Sequence, residues 1–348
     1  MKLLVLGGTR FLGRHVVAAA LARDHIVTTF TRGRTPHPID TRVTTLVGDR
    51  DPRIPPGLAA LAEGQWDAVV DTSGYVPRIV EAGAAMLKAR IGRYLFVSSL
   101  SVYASPDRAG IDESAAVAEL EDRNTEDILP DYGALKAACE RVLTTHFGSR
   151  ATFVRPGLIV GPFDGTDRFG YWVARFARPT LLGDRPPAAV VPAPPERPLQ
   201  FIDARDLATW LLGLLEGNVD GTFNACSPAG QWTMNDLVEA ASVGVPQPPK
   251  PVWVDGAVLT AHGVEPWVGL PLWLPATDPE VAGFMHFDCS RARETGLRVR
   301  PVRQTVEDTA AWLAMRDNTK AWQHVLGAEK ERAILASLNP PGAGRVKP

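Results

Sequence analysis

An apolar run, Leu3–Leu6, breaks directly into Gly7-Gly8-Thr9-Arg10-Phe11-Leu12-Gly13, and a helical stretch follows as far as Ala22. No other feature constrains the fold so tightly. A strand must turn sharply and hand over to a helix that packs back against it. Gly7 allows the tight turn, and Gly13 lets the helix approach the strand closely. The first N–H groups of that helix have no partner within it and lie at the positive end of its dipole. Such an N-terminus suits a pyrophosphate, so Gly7, Thr9, Arg10, Phe11, Leu12 and Gly13 are candidate dinucleotide-binding residues.

The rest of the first half repeats the alternation. Strands are predicted at Leu3–Leu6, Ile26–Phe30, Thr44–Val47, Ala68–Val70, Tyr94–Val97 and Thr152–Val154. Helices are predicted at Leu12–Ala22, Val80–Arg90 and Tyr132–His146. The strands read as short apolar runs, as expected when both faces of a parallel sheet are covered. The expected fold is therefore α/β, a Rossmann-like doubly wound parallel sheet with a smaller C-terminal substrate-binding lobe. Residues 1–162 form the expected dinucleotide-binding domain, with segments around 200–230 returning to it. Residues 163–338 form the lobe, and 339–348 a frayed tail. The Pro-rich Arg185–Arg197 is expected to be an ordered loop. The segment Gln247–Pro275 reads as irregular and aromatic, either a satellite core or the wall of a pocket.

Composition narrows the function. Lys and Arg number 37 against 39 Asp and Glu, a net charge of −2, which argues against a dedicated nucleic-acid binder. No apolar run is long enough to span a membrane. The N-terminal apolar stretch is too short for a signal peptide and lacks a cleavage site. Cys139, Cys226 and Cys289 fit neither a disulfide framework nor a zinc pattern, so no metal is expected and the cytoplasm is the expected compartment.

The end of the second strand bears on the dinucleotide. NAD sites place an acid there for the ribose 2′-hydroxyl, whereas this chain reads Phe30-Thr31-Arg32-Gly33-Arg34. Arg32, with Arg10, suits a 2′-phosphate, so the expected cofactor is NAD(P), leaning to NADP. Tyr132-Gly133-Ala134-Leu135-Lys136 places a phenol and an ammonium four apart, on one helix face. The ammonium favours the phenolate, so Tyr132 can exchange a proton with an alcohol or carbonyl during hydride transfer. The strand ending Phe96-Val97-Ser98-Ser99-Leu100-Ser101-Val102-Tyr103 would bring hydroxyls beside the nicotinamide.

With these motifs in place, the chain resembles an extended, atypical short-chain dehydrogenase/reductase of the NAD-dependent epimerase/dehydratase type, over roughly residues 1–315. Further motifs follow in family order: Gly48-Asp49-Arg50, Asp71-Thr72-Ser73-Gly74, Arg155-Pro156-Gly157 with Gly161-Pro162, Gln200–Asp206, and Gly221-Thr222-Phe223-Asn224. The resemblance implies Tyr132 as acid–base and Lys136 as its electrostatic support and ribose ligand. It implies Ser99 to orient the reacting oxygen, with Ser101 as the substitute. It also implies cofactor contacts at Asp49, Arg50, Thr72, Ser73, Gly74, Pro156 and Leu158, and allows a homodimer.

Three departures bear on the substrate. Arg10 replaces the middle glycine of the family loop, and the string resembles an atypical branch that includes chloroplast stem-loop RNA-binding proteins. Leu158 stands where nucleotide-sugar epimerases carry a diphosphate-binding Asn. Leu199 stands at their phosphate-binding Arg, with Arg197 two residues away as a candidate substitute. Unpaired buried charge is strongly disfavoured, so two leucines weaken the nucleotide-sugar reading. The leading expectation is thus carbonyl reductase or alcohol dehydrogenase chemistry on a small or mid-sized metabolite. A nucleotide-sugar epimerase or dehydratase is the alternative, the dehydratase disfavoured by Leu100 where an acid belongs. An RNA-binding protein that kept the fold is the alternative of another class.

Overall fold

The computed structural model describes residues 1–35, 40–317 and 320–338. The expected tail, 339–348, lies outside them. The chain divides into two units: residues 1–159, 201–228 and 286–299 in the first, and the described parts of 160–200, 229–285 and 300–348 in the second.

The first unit carries the sheet. Its strands are β1 (Lys2–Leu6), β2 (Ile26–Thr31), β3 (Thr44–Val47), β4 (Trp66–Asp71), β5 (Ile91–Val97), β6 (Ala151–Pro156) and β7 (Gly221–Ala225). Its principal helices are α1 (Phe11–Ala22), α2 (Pro77–Leu87), α3 (Ile128–Phe147) and α4 (Ala204–Glu216). The strand order is β7-β6-β5-β4-β1-β2-β3, and every neighbouring pair is parallel. The order reverses between β1 and β4, which is where open α/β sheets bind ligands.

Alternation along β1 builds both layers. Leu3 and Val5 face a core shared with α1 and α4, whereas Leu4 and Leu6 face one shared with α2 and α3. All four are essentially fully buried, worth about 1.5–3 kcal/mol each relative to exposure. Helix α2 starts at Pro77, three residues before the predicted start, because proline is at home in a first helical turn. Helix α3 likewise begins at Ile128, four residues early, with Pro130 in its first turn. The segment His286–Val299, assigned to the lobe on sequence, lies in the first unit. The His286 carbonyl accepts from Gly110 N at 2.7 Å, and Asp288 N donates to the Ile111 carbonyl at 2.9 Å.

The second unit corrects two expectations. Arg185–Arg197 contains a strand, Ala188–Pro192, which pairs in parallel with Lys250–Val254. Gln247–Pro275 therefore has regular structure, this strand and a short helix at Gly256–Ala261. Prolines at strand ends do not interrupt so short a ladder. Trp172 and Trp273 are fully buried, which makes them core residues. Glu331, in the helix Ala328–Leu338, is buried and accepts from Arg175 Nε at 3.2 Å, Arg185 Nη1 at 3.1 Å and Val190 N at 3.2 Å.

Candidate active site

The loops leaving β1 and β4 are joined to each other. Thr72 N and Thr72 Oγ1 both donate to the Leu6 carbonyl, at 3.2 and 3.1 Å, and Ser73 Oγ donates to it at 3.1 Å. Gly7 and Gly8 adopt φ of +111° and +94°, values that glycine tolerates best. A Cβ on Gly13 would lie 2.5 Å from Gly8 N, so only glycine lets α1 start this close to the loop. The Arg10 side chain does not cap α1. This cradle of backbone N–H groups fits the pyrophosphate of a dinucleotide.

Thr9 Oγ1 donates to Thr35 Oγ1 at 3.4 Å, which brings the glycine loop beside the segment after β2. Arg10, in that loop, and Arg32 and Arg34, in that segment, are all exposed. Phe11 begins α1 at φ +32°, and Leu12 points into the core.

Asp49 is half-buried, and its Oδ1 accepts from Asp51 N at 3.0 Å. Arg50 turns inward. Its Nη1 donates to Asp71 Oδ1 and, at 3.1 Å, to Ser73 Oγ. Asp71 is wholly buried at the end of β4, and its other oxygen accepts from Tyr94 OH at 2.7 Å. Against the cost of burial, the Arg50 charge and these hydrogen bonds hold the Asp71 carboxyl below its ordinary range. Arg50 therefore organises the β4 loop from within. Asp71 opens the Asp71-Thr72-Ser73-Gly74 motif, whereas nothing in the sequence marks Tyr94 as its partner.

Lys136 is buried on α3. Its Nζ donates to the Gly74 carbonyl at 2.7 Å and the Val97 carbonyl at 2.6 Å, tying the helix to the ends of β4 and β5. Burial lowers its pKa to about 8. Tyr132, half-buried, lies one turn earlier on the same helix. Gly133 packs so closely on the Ser101 carbonyl that any Cβ would overlap it, which seats the Tyr132 turn against Ser99–Ser101. Ser99 Oγ donates to Ser101 Oγ and accepts from Ser101 N, both at 3.1 Å. Ser99 is almost buried and Ser101 exposed.

Behind this face, Arg155 joins Glu140 and Tyr103. The Tyr103 hydroxyl accepts from Arg155 Nη1 at 3.1 Å and donates to Asn224 Oδ1 at 2.6 Å. Burial pushes Tyr103 up to about 12, so it stays a phenol at neutral pH. Glu140, unread on sequence, stands one turn beyond Lys136.

These strand-end loops and this Tyr–Lys helix agree with the sequence comparison. The profile of the NAD dependent epimerase/dehydratase family matches residues 3–226. The chain belongs to this family. A curated relative of this epimerase/dehydratase chain is chloroplast stem-loop binding protein of 41 kDa b from Arabidopsis thaliana. It is 27% identical over 269 residues, which cover 68% of this chain and 65% of the plant protein. Among solved structures, UDP-glucuronic acid 4-epimerase from Bacillus cereus, in complex with NAD, aligns at a TM-score of 0.63 and 15% identity. The alignment covers 93% of this chain and all of that one, 100%. UDP-N-acetylglucosamine 4-epimerase from Methanobrevibacter ruminantium, in complex with UDP-N-acetylmuramic acid, aligns at 0.63 and 18% identity, covering 90% of this chain and 98% of that one. At such identities these structures establish the shared fold.

The positions read as substrate determinants are apolar, or, at the Arg197 Nη groups, engaged by backbone carbonyls. Pro156 and Leu158, at the end of β6 and just beyond it, are buried in the first unit. In the second unit Leu199 is buried. Arg197 Nη1 donates to the Leu274 carbonyl at 2.8 Å and Nη2 to the Ala193 carbonyl at 3.1 Å. Among the described residues no group of three or more His, Cys, Asp or Glu could hold a metal, and no helix is long and apolar enough to cross a membrane.

Proposed function

We propose that this family member is an NAD(P)-dependent epimerase acting on a nucleotide-activated sugar, through reversible hydride transfer at a carbinol carbon. One observation supports it most: Lys136 is fixed by two strand-end carbonyls, one turn from Tyr132, with the Ser99–Ser101 turn packed against Gly133. The family and the activities named for the aligned structures favour this over simple carbonyl reduction, which the sequence alone put first. Epimerase is preferred to dehydratase because Leu100, beside Ser99, is buried and has no acidic function.

Bound in the glycine cradle, a nicotinamide cofactor supplies the hydride acceptor. Tyr132 takes the carbinol proton as the hydride leaves, and Ser99 orients the reacting oxygen. Lys136 lowers the cost of the phenolate through its charge. Gly7, Thr9, Phe11, Leu12 and Gly13 hold the pyrophosphate end. Asp49 and the Thr72–Gly74 loop would hold the adenosine and ribose, and Pro156 and Leu158 would lie by the nicotinamide. Arg10 and Arg32 favour a 2′-phosphate, hence NADP.

Carbonyl reductase chemistry stays as the second reading because Leu158 and Leu199 offer a diphosphate nothing, and the Arg197 Nη groups already serve carbonyls. The plant relative's name brings stem-loop binding into view, against which the net charge of −2 weighs.

The test is calorimetry with UDP- and dTDP-sugars on cofactor-loaded protein, followed by turnover assays. Tyr132→Phe is expected to lower turnover by roughly 10²–10⁴-fold while cofactor binding holds. Absent sugar-nucleotide binding, together with turnover of simple ketones, would move the reductase reading to first place.

A further inference from the structure

Lys136 carries its charge in an unusual setting. Among the described residues its hydrogen bonds go to the Gly74 and Val97 carbonyls. The carboxylates that act on it, Asp71 and Glu140, are each bonded to an arginine of their own, Arg50 and Arg155. Beside the neutral Cys139 thiol, two aromatic rings face Lys136. The Lys136 ammonium lies 4.1 Å from the centroid of the Phe96 ring and 5.1 Å from that of Tyr75. The Tyr75 ring also lies 6.3 Å from the Tyr132 ring, tilted by 40°. Phe96 is fully buried, whereas Tyr75 keeps 39% of its surface exposed. One residue thus touches the ammonium, borders the proposed acid–base and faces outward.

We propose that Tyr75 is a positioning residue of this site, holding the Lys136 ammonium against its ring face and forming the exposed wall beside Tyr132. The proposal builds on the acid–base reading of Tyr132 and Lys136. A cation gains from the negative face of an aromatic ring, and more when water is excluded. The peptide carbonyls and the two rings then offset part of the cost of burying the ammonium. Aliphatic replacement removes one ring face and keeps the bulk. The phenol hydroxyl is dispensable for this role, and Tyr75, its pKa raised above the ordinary phenol value by partial desolvation, is a neutral phenol at neutral pH.

The groups that can influence Lys136 are known from each element around it. They are Tyr132, Cys139 and Glu140 on α3, Asp71 ending β4, Tyr75 just beyond it, Arg50 after β3 and Arg155 on β6. Burial pushes the Cys139 thiol up to about 12, so it stays neutral through the titration of Lys136 at about 8. Asp71 and Glu140 keep their arginine partners, which leaves the ring face as the variable.

The test is a side-chain NMR titration of lysine-labelled full-length protein without cofactor, with Lys136→Met assigning the signal. Tyr75→Phe is expected to titrate as the parent does. Tyr75→Leu is expected to titrate lower by roughly half a unit to one unit. Tyr75→Trp, with a stronger ring face, is expected at or above the parent midpoint, and it answers the question if the leucine variant fails to fold. Cofactor affinity, from quenching of protein fluorescence at pH 7.5, should fall in Tyr75→Leu and hold in Tyr75→Phe. A Lys136 midpoint unmoved in Tyr75→Leu, or moved equally in Tyr75→Phe, overturns the proposal. These readouts need no substrate, so a failed search for turnover would count against the epimerase reading alone.

Discussion

Arg155 grips Glu140 through two parallel bonds, Nε to Oε1 at 3.0 Å and Nη2 to Oε2 at 2.6 Å, with both side chains buried. The pair locks the middle of α3 to β6, one turn beyond Lys136. Removing one partner leaves the other charge buried and uncompensated. Glu140→Ala is therefore expected to cost about 3–5 kcal/mol in urea unfolding. Combining it with Arg155→Met should cost clearly less than the two single losses added together.

Arg10 and Arg32 are expected to make NADPH bind more tightly than NADH. A charge-assisted bond contributes about 1.5–3 kcal/mol, so Arg32→Asp should weaken NADPH roughly 10–100-fold. NADH should be little affected or improved. Cofactor fluorescence titrations of parent and variant measure both constants, and equal affinities in the parent would refute the preference.

The lowered pKa of Lys136 has a sign that can be measured. In the unfolded chain the amine holds its proton to about 10.5, but in the folded chain only to about 8. Below pH 8 both forms are protonated and the full burial penalty is present. Between these values the unfolded chain binds more protons, so this group adds stability as pH rises. Relative to Lys136→Met, the parent should gain about 1–3 kcal/mol from pH 7.5 to 10. Denaturant unfolding of the two proteins at each pH reads the difference, and a constant gap would contradict the assignment.

Glu331 is expected to anchor the helix Ala328–Leu338 in the second unit. Its carboxylate serves Arg175, Arg185 and the Val190 amide without access to water. Glu331→Ala strands two buried guanidinium groups and should destabilise that unit by about 3–5 kcal/mol. Hydrogen exchange would show protection lost around Ala188–Pro192 ahead of the β1–β7 sheet. Uniform loss across both units would point to a different role.

The amino-acid sequence by itself determined the local elements of the first half of the chain, but not that His286–Val299 joins the same unit. Hydrophobic runs and glycines act locally, so β1, the Gly7–Gly13 turn and the Tyr132–Lys136 helix face could be read from neighbours in the chain. Tertiary structure alone decided where charged side chains ended up. Arg50, grouped with the cofactor contacts, turned inward to Asp71, and Arg197, considered as a phosphate ligand, bonds backbone carbonyls. Their partners lie 21 residues or more away, or belong to backbone that no side-chain pattern reports. The same reason hid the strand Ala188–Pro192 among its prolines, since its pairing partner, Lys250–Val254, is supplied from far along the chain. Tyr75 reaches Lys136 only because the loop after β4 meets α3, a relation set by the tertiary fold and invisible in the spacing of the two residues.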